Sequence, residues 1–304
     1  MSATAALPGQ QPGPFYVDAR CIDCGTCWGF DPDHFGRGDG HARVHCQPRG
    51  DVEHRQALLA LQACPVAAIQ APSPLRRRIP PDGFPALICR RPAGAVYYCG
   101  WAAQASFGAS SYLVVRRNAD GQPDNLLIDS PRFNGLLARR LALLGGVQRI
   151  LLTHRDDVAD HGAFARHFGA TRLLHRADRE QATATVEQWV DGEDAFNLDD
   201  TLRVIPTPGH TPGSLCFLFD RQVLFSGDHC WWRRGAAPGD DGYLGASQQY
   251  CWGDWAQQLI SLERLRSLDV RWLLPGHGER HCFAPGAFSA AVATALAQLQ
   301  GNSG

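Results

Sequence analysis

The sequence lacks an excess of charge of either sign. Its 304 residues include 29 basic and 30 acidic side chains, which gives a formal net charge of -1 at pH 7. A surface with this balance has no overall field that attracts nucleic acid or an anionic membrane. The one basic run, residues 76–78, lies next to Pro80 and Pro81 and is interpreted as part of a solvated linker. We therefore expect neither a nucleic-acid partner nor a membrane.

Long apolar runs are also missing. No stretch approaches the roughly 20 apolar residues that span a bilayer. Residues 1–13 are rich in Ala, Gly and Pro and have neither the charged n-region nor the apolar h-region of a secretory signal. We expect these residues to form a flexible tail and the protein to be cytoplasmic. The length, together with 44% hydrophobic residues, predicts two globular domains with real cores.

The eleven cysteines do not have the pattern of a disulfide framework. Their number is odd, and four of them, Cys21, Cys24, Cys27 and Cys64, have the spacing of ligands to a 4Fe-4S cluster. Three lie at intervals of three, and the fourth is followed by Pro65. A structural zinc site is the alternative, but such sites usually pair two Cys-x-x-Cys units. The pattern favours one cluster and a reducing compartment.

This first region resembles a bacterial-type ferredoxin that carries a single 4Fe-4S cluster. The resemblance implies an α+β domain over residues 14–71, in which a helix at 51–61 brings Cys64 to the cluster. Two-cluster ferredoxins carry a further Cys where this chain has Asp31 and Pro32, so a second cluster is not expected. A Pro-rich linker over residues 72–85 follows.

Residues 86–304 alternate short apolar runs with helical patterns, which favours sheets covered by helices. Strands are predicted at 95–99, 111–116, 125–128, 149–153, 171–174, 202–205, 215–219, 223–225 and 271–274. Helices are predicted at 132–144, 162–168, 254–267 and 285–300.

Residues of the types that commonly bind metal ions follow several of these predicted strands. The strand at 149–153 runs into a segment that contains four candidates, and three later motifs each add one. The seven candidates are His154, Asp156, Asp160, His161, His210, Asp228 and His277. Imidazole with carboxylate suits zinc, iron or manganese. The pattern predicts two divalent metal ions, zinc or iron, held at the ends of buried strands.

These four motifs, in this order, resemble the metallo-β-lactamase fold superfamily over residues 95–280. The resemblance implies an αββα sandwich in which His154, Asp156 and His210 hold one metal and Asp160, His161 and His277 hold the other. Asp228 would bridge the two metals. Asp160 and Asp228 are the candidate catalytic residues, because Asp160 would also orient a metal-bound hydroxide.

Two departures from the superfamily pattern affect this assignment. Asp156 stands where the usual motif has a second His, and two extra residues precede Asp160, so Asp157 competes as a ligand and one metal site is in doubt. Flavodiiron oxygen and nitric oxide reductases, which share the fold, have Glu at the position of Asp156. An oxygen-richer ligand set favours iron.

Aromatic residues are dense between Asp228 and His277. Trp231, Trp232, Tyr243, Tyr250 and Trp252 either line a pocket over the metals or pack against a helix. The sequence does not decide between these two roles.

Two enzymatic functions fit the residues, and hydrolysis is expected first. Two metals lower the pKa of a bridging water and polarise a thioester, phosphoester or lactone, while the cluster serves redox sensing or electron transfer. The alternative is a diiron oxidoreductase or oxygenase that receives electrons from its own cluster domain. Without a flavin domain or nicotinamide motif, that enzyme would need an external ferredoxin reductase or another donor. In either case the substrate is a small molecule. A non-enzymatic redox sensor is disfavoured, because buried ligands without metal are costly.

Overall fold

The N-terminal region is a small α+β unit. The structure, a computed structural model, describes residues 5–235 and 241–301. In chain order the N-terminal elements are β1 (Tyr16–Val17), α1 (Thr26–Phe30), β2 (Phe35–Arg37), β3 (Ala42–Val44), α2 (Gly50–Ala63), β4 (Ile69–Gln70) and α3 (Ser73–Arg76). β1 pairs with β4 and β2 with β3, both antiparallel. Their apolar side chains pack with α2 around Phe15, Phe35 and Leu58.

Residues 6–13 do not form the predicted flexible tail. Ala6 makes a β-bridge with Asp18, and the backbone N–H of Leu7 donates to the carbonyl of Val17. The backbone N–H of Gln11 donates to Val44 on β3. Hydrogen bonds to two strands therefore fix this segment on the domain, and the prediction is wrong for it. Residues 1–4 of the predicted tail lie outside the described part of the chain.

The first sheet of the larger region has seven strands. In chain order its elements, with the two helices that lie between them, are β5 (Ala86–Arg91), β6 (Gly94–Tyr98), β7 (Tyr112–Val115), β8 (Leu126–Ile128), α4 (Gly135–Leu143), β9 (Arg149–Leu151), α5 (His161–Phe168), β10 (Thr171–His175) and β11 (Gln188–Val190). The spatial order is β11-β10-β9-β8-β7-β6-β5. The strands from β8 to β11 are parallel, because helices or long loops connect them.

The second sheet has six strands. Its elements, with a separate hairpin and two helices, are β12 (Phe196–Asn197), β13 (Leu202–Pro206), β14 (Leu215–Phe219), β15 (Val223–Gly227), β16 (Trp231–Arg233), β17 (Tyr243–Gly245), α6 (Trp255–Leu265), β18 (Trp272–Pro275), β19 (His281–Cys282) and α7 (Ala287–Gly301). The order is β12-β13-β14-β15-β18-β19, and β16 pairs with β17 outside it.

The two sheets face each other across one core, and helices cover their outer faces. β14 shows the alternation: Phe217 and Phe219 point into the core between the sheets, whereas Cys216 and Leu218 pack under α6 and α7. α4 and α5 cover the outer face of the first sheet in the same way, around Leu113, Leu137 and Phe164. The predicted αββα sandwich is confirmed.

The N-terminal unit packs directly on the sandwich. Phe84, in the region predicted as a linker, is buried, and its ring lies 5.5 Å from that of Phe30 and 5.7 Å from that of Tyr98. The backbone N–H of Ala102 donates to the carbonyl of Ala63 at the end of α2. A single hydrophobic cluster therefore runs from the N-terminal unit into the space between the sheets. No helix among the described residues is long and apolar enough to cross a membrane.

A buried hydroxyl connects the first sheet to the end of strand β18 in the second. Tyr112 on β7 is 1% exposed, and its Oη donates to the carbonyl of Pro275 at 2.6 Å. Tyr112→Phe leaves that carbonyl without its donor, so we expect the free energy of unfolding to fall by about 1 kcal/mol. Chemical denaturation measures the change. An unchanged midpoint would show that the bond contributes nothing.

Candidate metal centre

Three candidate ligands come from the loop that follows β9. Ile150, Leu151 and Leu152 are fully buried, so the chain leaves the sheet at a fixed point, and Thr153 is 1% exposed. The side chains of His154, Asp156 and Asp157 follow it. A rigid strand end is the part of an α/β sheet that best holds such groups in place.

The other three candidates follow strands of the second sheet. His210 lies in the turn between β13 and β14, Asp228 directly follows β15, and His277 comes two residues after β18. β15 and β18 are parallel neighbours, so their carboxyl ends meet at one edge of the sheet. The described loops thus bring six ligand-type side chains to one place.

Asp228 lies at the centre of this group. Its Oδ2 is 3.8 Å from Nε2 of His154, 3.7 Å from Nε2 of His210 and 3.8 Å from Nε2 of His277. One carboxylate oxygen among three imidazoles is the arrangement expected of a ligand shared between two metals. The sequence assigned this role to Asp228.

Two overlapping sets of ligand atoms surround Asp228. In one, Nε2 of His154 and His210 lie 3.7 Å and 3.4 Å from Oδ2 of Asp156, and these three residues form a candidate metal group. The other candidate group contains His154, Asp157 and Asp228. Nε2 of His277 lies 3.9 Å from Oδ1 of Asp157, which places that imidazole beside the second group.

Asp157, rather than Asp160 and His161, completes the cluster. Oδ2 of Asp160 accepts a hydrogen bond from the backbone N–H of Phe133 at 2.7 Å. Nε2 of His161 lies 3.2 Å from the carbonyl of Ala182. The sequence assigned Asp160 and His161 as ligands of the second metal and Asp160 as a catalytic residue, but neither residue belongs to a candidate metal group of the described structure.

Asp157 and the Asp-His pair lie on opposite sides of one unusual residue. Ala159 has φ of +25°, a conformation that L side chains rarely adopt, and α5 begins at His161. Asp157, left open in the sequence as a competing ligand, precedes Ala159 and is 1% exposed.

Several buried polar atoms of the cluster have no hydrogen-bond partner in the described structure. They are Nε2 of His154, Nε2 of His210, Oδ2 of Asp156, Oδ2 of Asp157 and Oδ1 of Asp228. Buried polar atoms are normally hydrogen-bonded. A Cβ on Gly276 would lie 2.6 Å from both Oδ2 of Asp157 and Oδ1 of Asp228. The glycine keeps the space between these carboxylates free, which fits a bound cation.

The electrostatics of the carboxylates also fit a cation. Burial, and then the nearby negative charges of Asp228, Asp129 and Asp156, raise the pKa of Asp157 well above its usual range. Burial alone would also raise the pKa of Asp228, but His277, His154 and His210 outweigh it and hold that pKa below the usual value. Three carboxylates this close repel one another, and divalent cations favour their ionised forms.

Thr153 and Asp129 orient the first imidazole. Thr153 Oγ1 lies 2.9 Å from Nδ1 of His154 and donates to Oδ2 of Asp129 at 2.9 Å. When the carboxylate of Asp129 is ionised, the hydroxyl donates a hydrogen bond to it and accepts a hydrogen bond from the N–H at Nδ1 of His154. This leaves the lone pair of Nε2 facing the cluster, the usual arrangement around a metal-bound imidazole.

We expect Thr153→Val to weaken metal binding by roughly 10–100-fold, because His154 loses the group that fixes its tautomer and ring angle. Competition with a chelator measures the affinity, and the visible absorption of the iron–sulfur cluster serves as an internal control. Unchanged affinity would mean that Thr153 only packs.

The four predicted cluster cysteines surround one small cavity. Cys21, Cys24, Cys27 and Cys64 all line it. Gly25 has φ of +85°, which turns the chain tightly between Cys24 and Cys27, and Pro65 directly after Cys64 follows the end of α2.

Backbone amides point at these sulfurs. The N–H of Ala42 donates to Sγ of Cys21 and the N–H of Ala68 to Sγ of Cys64, each at 3.3 Å. Burial, with the neighbouring sulfurs, raises the pKa of Cys27 well above its usual range. Converging thiols with amide donors fit a bound cluster, which supplies the positive charge that thiolates need.

The metal-ligand cluster lines a cavity of about 590 Å³ that also reaches one of the four cluster cysteines. Cys24 lines it together with Asp156, Asp228 and His277. The N-terminal unit also contributes Trp28 to its wall. All five aromatic residues left open in the sequence line this cavity: Trp231, Trp232, Tyr243, Tyr250 and Trp252.

No pattern in the sequence predicts that the N-terminal unit takes part in this cavity. Asp23, Trp28 and Arg37 from that unit, and Phe107 from the loop between β6 and β7, also line it. None of them is a metal-ligand position of a recognised motif, and only the packing of the two regions brings them to the metal ligands.

Comparison with known proteins agrees with this architecture. Residues 17–71 match the family "4Fe-4S single cluster domain of Ferredoxin I", and residues 107–277 match the "Metallo-beta-lactamase superfamily". A hydroxyacylglutathione hydrolase of Anaeromyxobacter dehalogenans is 34% identical over 113 residues, which cover 36% of this chain and 43% of the relative. The alignment thus spans less than half of that relative's length.

Solved structures are similar to this chain at low identity. The protein VMB-1 is 13% identical with a TM-score of 0.50, over 73% of this chain and all of the other. A mutant metallo-beta-lactamase from Cronobacter sakazakii is 18% identical with a TM-score of 0.49, over 71% and 96% of the two chains. Because the family match covers more than half of the residues, the chain belongs to the metallo-beta-lactamase superfamily, with a 4Fe-4S ferredoxin-type domain before it.

Proposed function

We propose that the protein is an iron-dependent oxidoreductase whose dinuclear centre takes electrons from the cluster in its own N-terminal domain. One observation carries the proposal: Cys24, a cluster cysteine, lines the same cavity as Asp156, Asp228 and His277. A cluster with a purely structural role would not need to share the substrate cavity. The diiron oxidoreductase, which is the alternative function that fits the sequence, therefore gains support from the structure.

The ligand set supports iron. Asp156, Asp157 and Asp228 provide three carboxylates beside the three imidazoles of His154, His210 and His277. Oxygen-rich sets with imidazole suit iron. In this proposal Asp228 is the shared ligand, and the bound metals supply one-electron chemistry to a small molecule in the cavity.

The protein's own residues shape the cavity for such a molecule. A volume of about 590 Å³ is in the range that holds a small organic substrate. Trp28, Phe107 and Trp231 provide apolar walls, and Arg37 and Arg233 provide positive charge. We infer a substrate with an apolar body and an acidic group. Electrons reach the cluster from an external one-electron donor, a ferredoxin reductase or a comparable protein.

Electron counting under strictly anaerobic conditions tests this proposal. The oxidised protein is titrated with a reductant while the cluster absorption and the electron paramagnetic resonance spectrum are followed. We expect about three electrons per chain, one for the cluster and two for the pair of irons. Uptake of about one electron would contradict the proposal, because only the cluster would then be redox-active.

Hydrolysis is the second candidate, and it rests on the similarity to hydroxyacylglutathione hydrolase. In this case the same six ligands hold zinc and activate water against a thioester, phosphoester or lactone. The cluster would then sense redox state. Hydrolysis of thioesters by the zinc-loaded protein, with no uptake of electrons by the metal centre, would favour this function.

A further inference from the structure

The loop between β6 and β7 lies between the cluster cysteines and the metal ligands. At Gly108 in this loop φ is +84°, and a Cβ built there would lie 2.6 Å from Sγ of Cys24 and 2.6 Å from Oγ1 of Thr26. The main chain thus runs directly against a cluster cysteine. Any side chain at Gly108 would push the loop and Cys24 apart.

Thr26 joins Cys24 to this loop. Its side chain is buried, and Oγ1 lies 3.2 Å from Sγ of Cys24. The same hydroxyl donates to the carbonyl of Gly108 at 2.7 Å. One hydroxyl therefore links the sulfur to a peptide group of the sandwich.

Phe107, the residue before Gly108, faces the metal centre. Its ring centroid lies 6.2 Å from that of His277. Phe107 has φ of +46°, a strained conformation for a bulky residue, and its side chain remains 54% exposed in the cavity wall. Burial therefore does not account for this strain, and strained residues of this kind cluster at functional sites. The backbone N–H of Ser110 also donates to the carbonyl of Gly276, next to His277, at 2.7 Å.

We propose that Thr26, Gly108 and Phe107 form the path along which electrons pass from Cys24 to His277. The inference rests on the proposed oxidoreductase function and names the residues that serve it. Each transfer moves one electron: the cluster is oxidised by one electron, the metal centre is reduced by one, and an external one-electron donor protein restores the cluster. No bond is formed or broken in the transfer.

The geometry selects Cys24 from among the four cysteines. Among the residues that line the shared cavity, Cys24 is the one cluster cysteine. Cys21 and Cys64 accept hydrogen bonds from backbone amides of the N-terminal unit itself, at Ala42 and Ala68. The contact through Thr26 therefore places Cys24, one of the residues that would hold the cluster, against the sandwich.

Two substitutions interrupt the path without replacing a ligand. Thr26→Val keeps the shape of the side chain but removes the hydroxyl, and Phe107→Leu removes the ring beside His277. Phe196→Leu is the matched control, because Phe196 is a half-exposed aromatic on β12 and is not among the residues that line the cavity. We expect all three variants to keep the wild-type content of iron and inorganic sulfide.

The readout is the rate of transfer within one molecule. The cluster is reduced by a flash of a photoreductant, its absorption is followed in time, and freeze-quenched samples show when the metal centre is reduced. We expect a several-fold slower transfer in Thr26→Val and Phe107→Leu, and the wild-type rate in Phe196→Leu. The cluster midpoint potential of Phe107→Leu should equal that of the wild type, so that a slower rate reports the path.

The failures of the two proposals are distinguishable. Wild-type rates in Thr26→Val and Phe107→Leu would overturn the path and leave the oxidoreductase function in place. If the reduced cluster never reduces the metal centre in the wild-type protein, the proposed oxidoreductase function is overturned, and the path with it.

Discussion

Asp228→Ala is expected to remove the metals of the sandwich domain and to leave the iron–sulfur cluster in place. Asp228 Oδ2 lies within 3.8 Å of Nε2 on all three imidazoles, so its loss affects both candidate metal groups. We expect a loss in affinity well above the 10–100-fold typical of residues behind a ligand. Elemental analysis after gel filtration measures the metals, and the visible absorption measures the cluster. Loss of the cluster with retention of the other metals would contradict the assignment.

Two matched variants test whether Asp157, rather than Asp160, is a metal ligand. Asp157→Asn and Asp160→Asn make the same chemical change three residues apart. We expect Asp157→Asn to lose one metal per chain, and Asp160→Asn to keep both, because Oδ2 of Asp160 is occupied by the N–H of Phe133. The opposite result would restore the superfamily assignment.

Cys64→Ser is expected to abolish the cluster and to destabilise the whole chain. Cys64 lies in the hydrophobic cluster that continues through Phe30 and Phe84 to Tyr98 in the sandwich. Binding of a metal group contributes directly to the stability of the fold around it, so its loss loosens this shared core. We expect the visible absorption to vanish and the melting temperature to fall. Differential scanning calorimetry and proteolysis at the Pro-rich segment measure the second effect.

Cys46→Ser provides the control for this prediction. Cys46 is exposed and does not line the cysteine cavity. The Cys46→Ser variant should keep the visible absorption, the iron content and the melting temperature of the wild type. A cluster retained in Cys64→Ser would exclude Cys64 as a ligand.

The regular elements of the sandwich were predictable from local patterns. All nine predicted strands exist, and the prediction for β14 is correct to the residue because its five apolar residues are buried on both faces. α6 begins where Asp254 accepts a hydrogen bond from the N–H of Gln257. The other six strands, β5, β11, β12, β16, β17 and β19, were not predicted. Their side chains alternate less clearly, and β16 and β17 pair outside the main sheets.

The ligand set was predictable in type but not in every position. The side chains of His154, Asp156, His210, Asp228 and His277 lie close together, and their role as metal ligands stays a prediction. Asp160 and His161 fit the motif by residue type, but Oδ2 of Asp160 accepts a hydrogen bond from Phe133 and Nε2 of His161 lies 3.2 Å from the carbonyl of Ala182. Such loop contacts leave no pattern in the sequence.

The shared cavity was not predictable at all. It depends on how Cys24 and Thr26 of the N-terminal unit pack against Gly108 of the sandwich, and these contacts join residues about eighty positions apart. Periodicity and spacing report local structure and motifs, whereas docking of two regions depends on surface shape.

The most direct test of the account is the metal content per chain after anaerobic purification without added metals. The oxidoreductase predicts about six irons and little zinc, four in the cluster and two in the centre around Asp228. About four irons with up to two zincs would contradict it and leave hydrolysis as the function of the cavity.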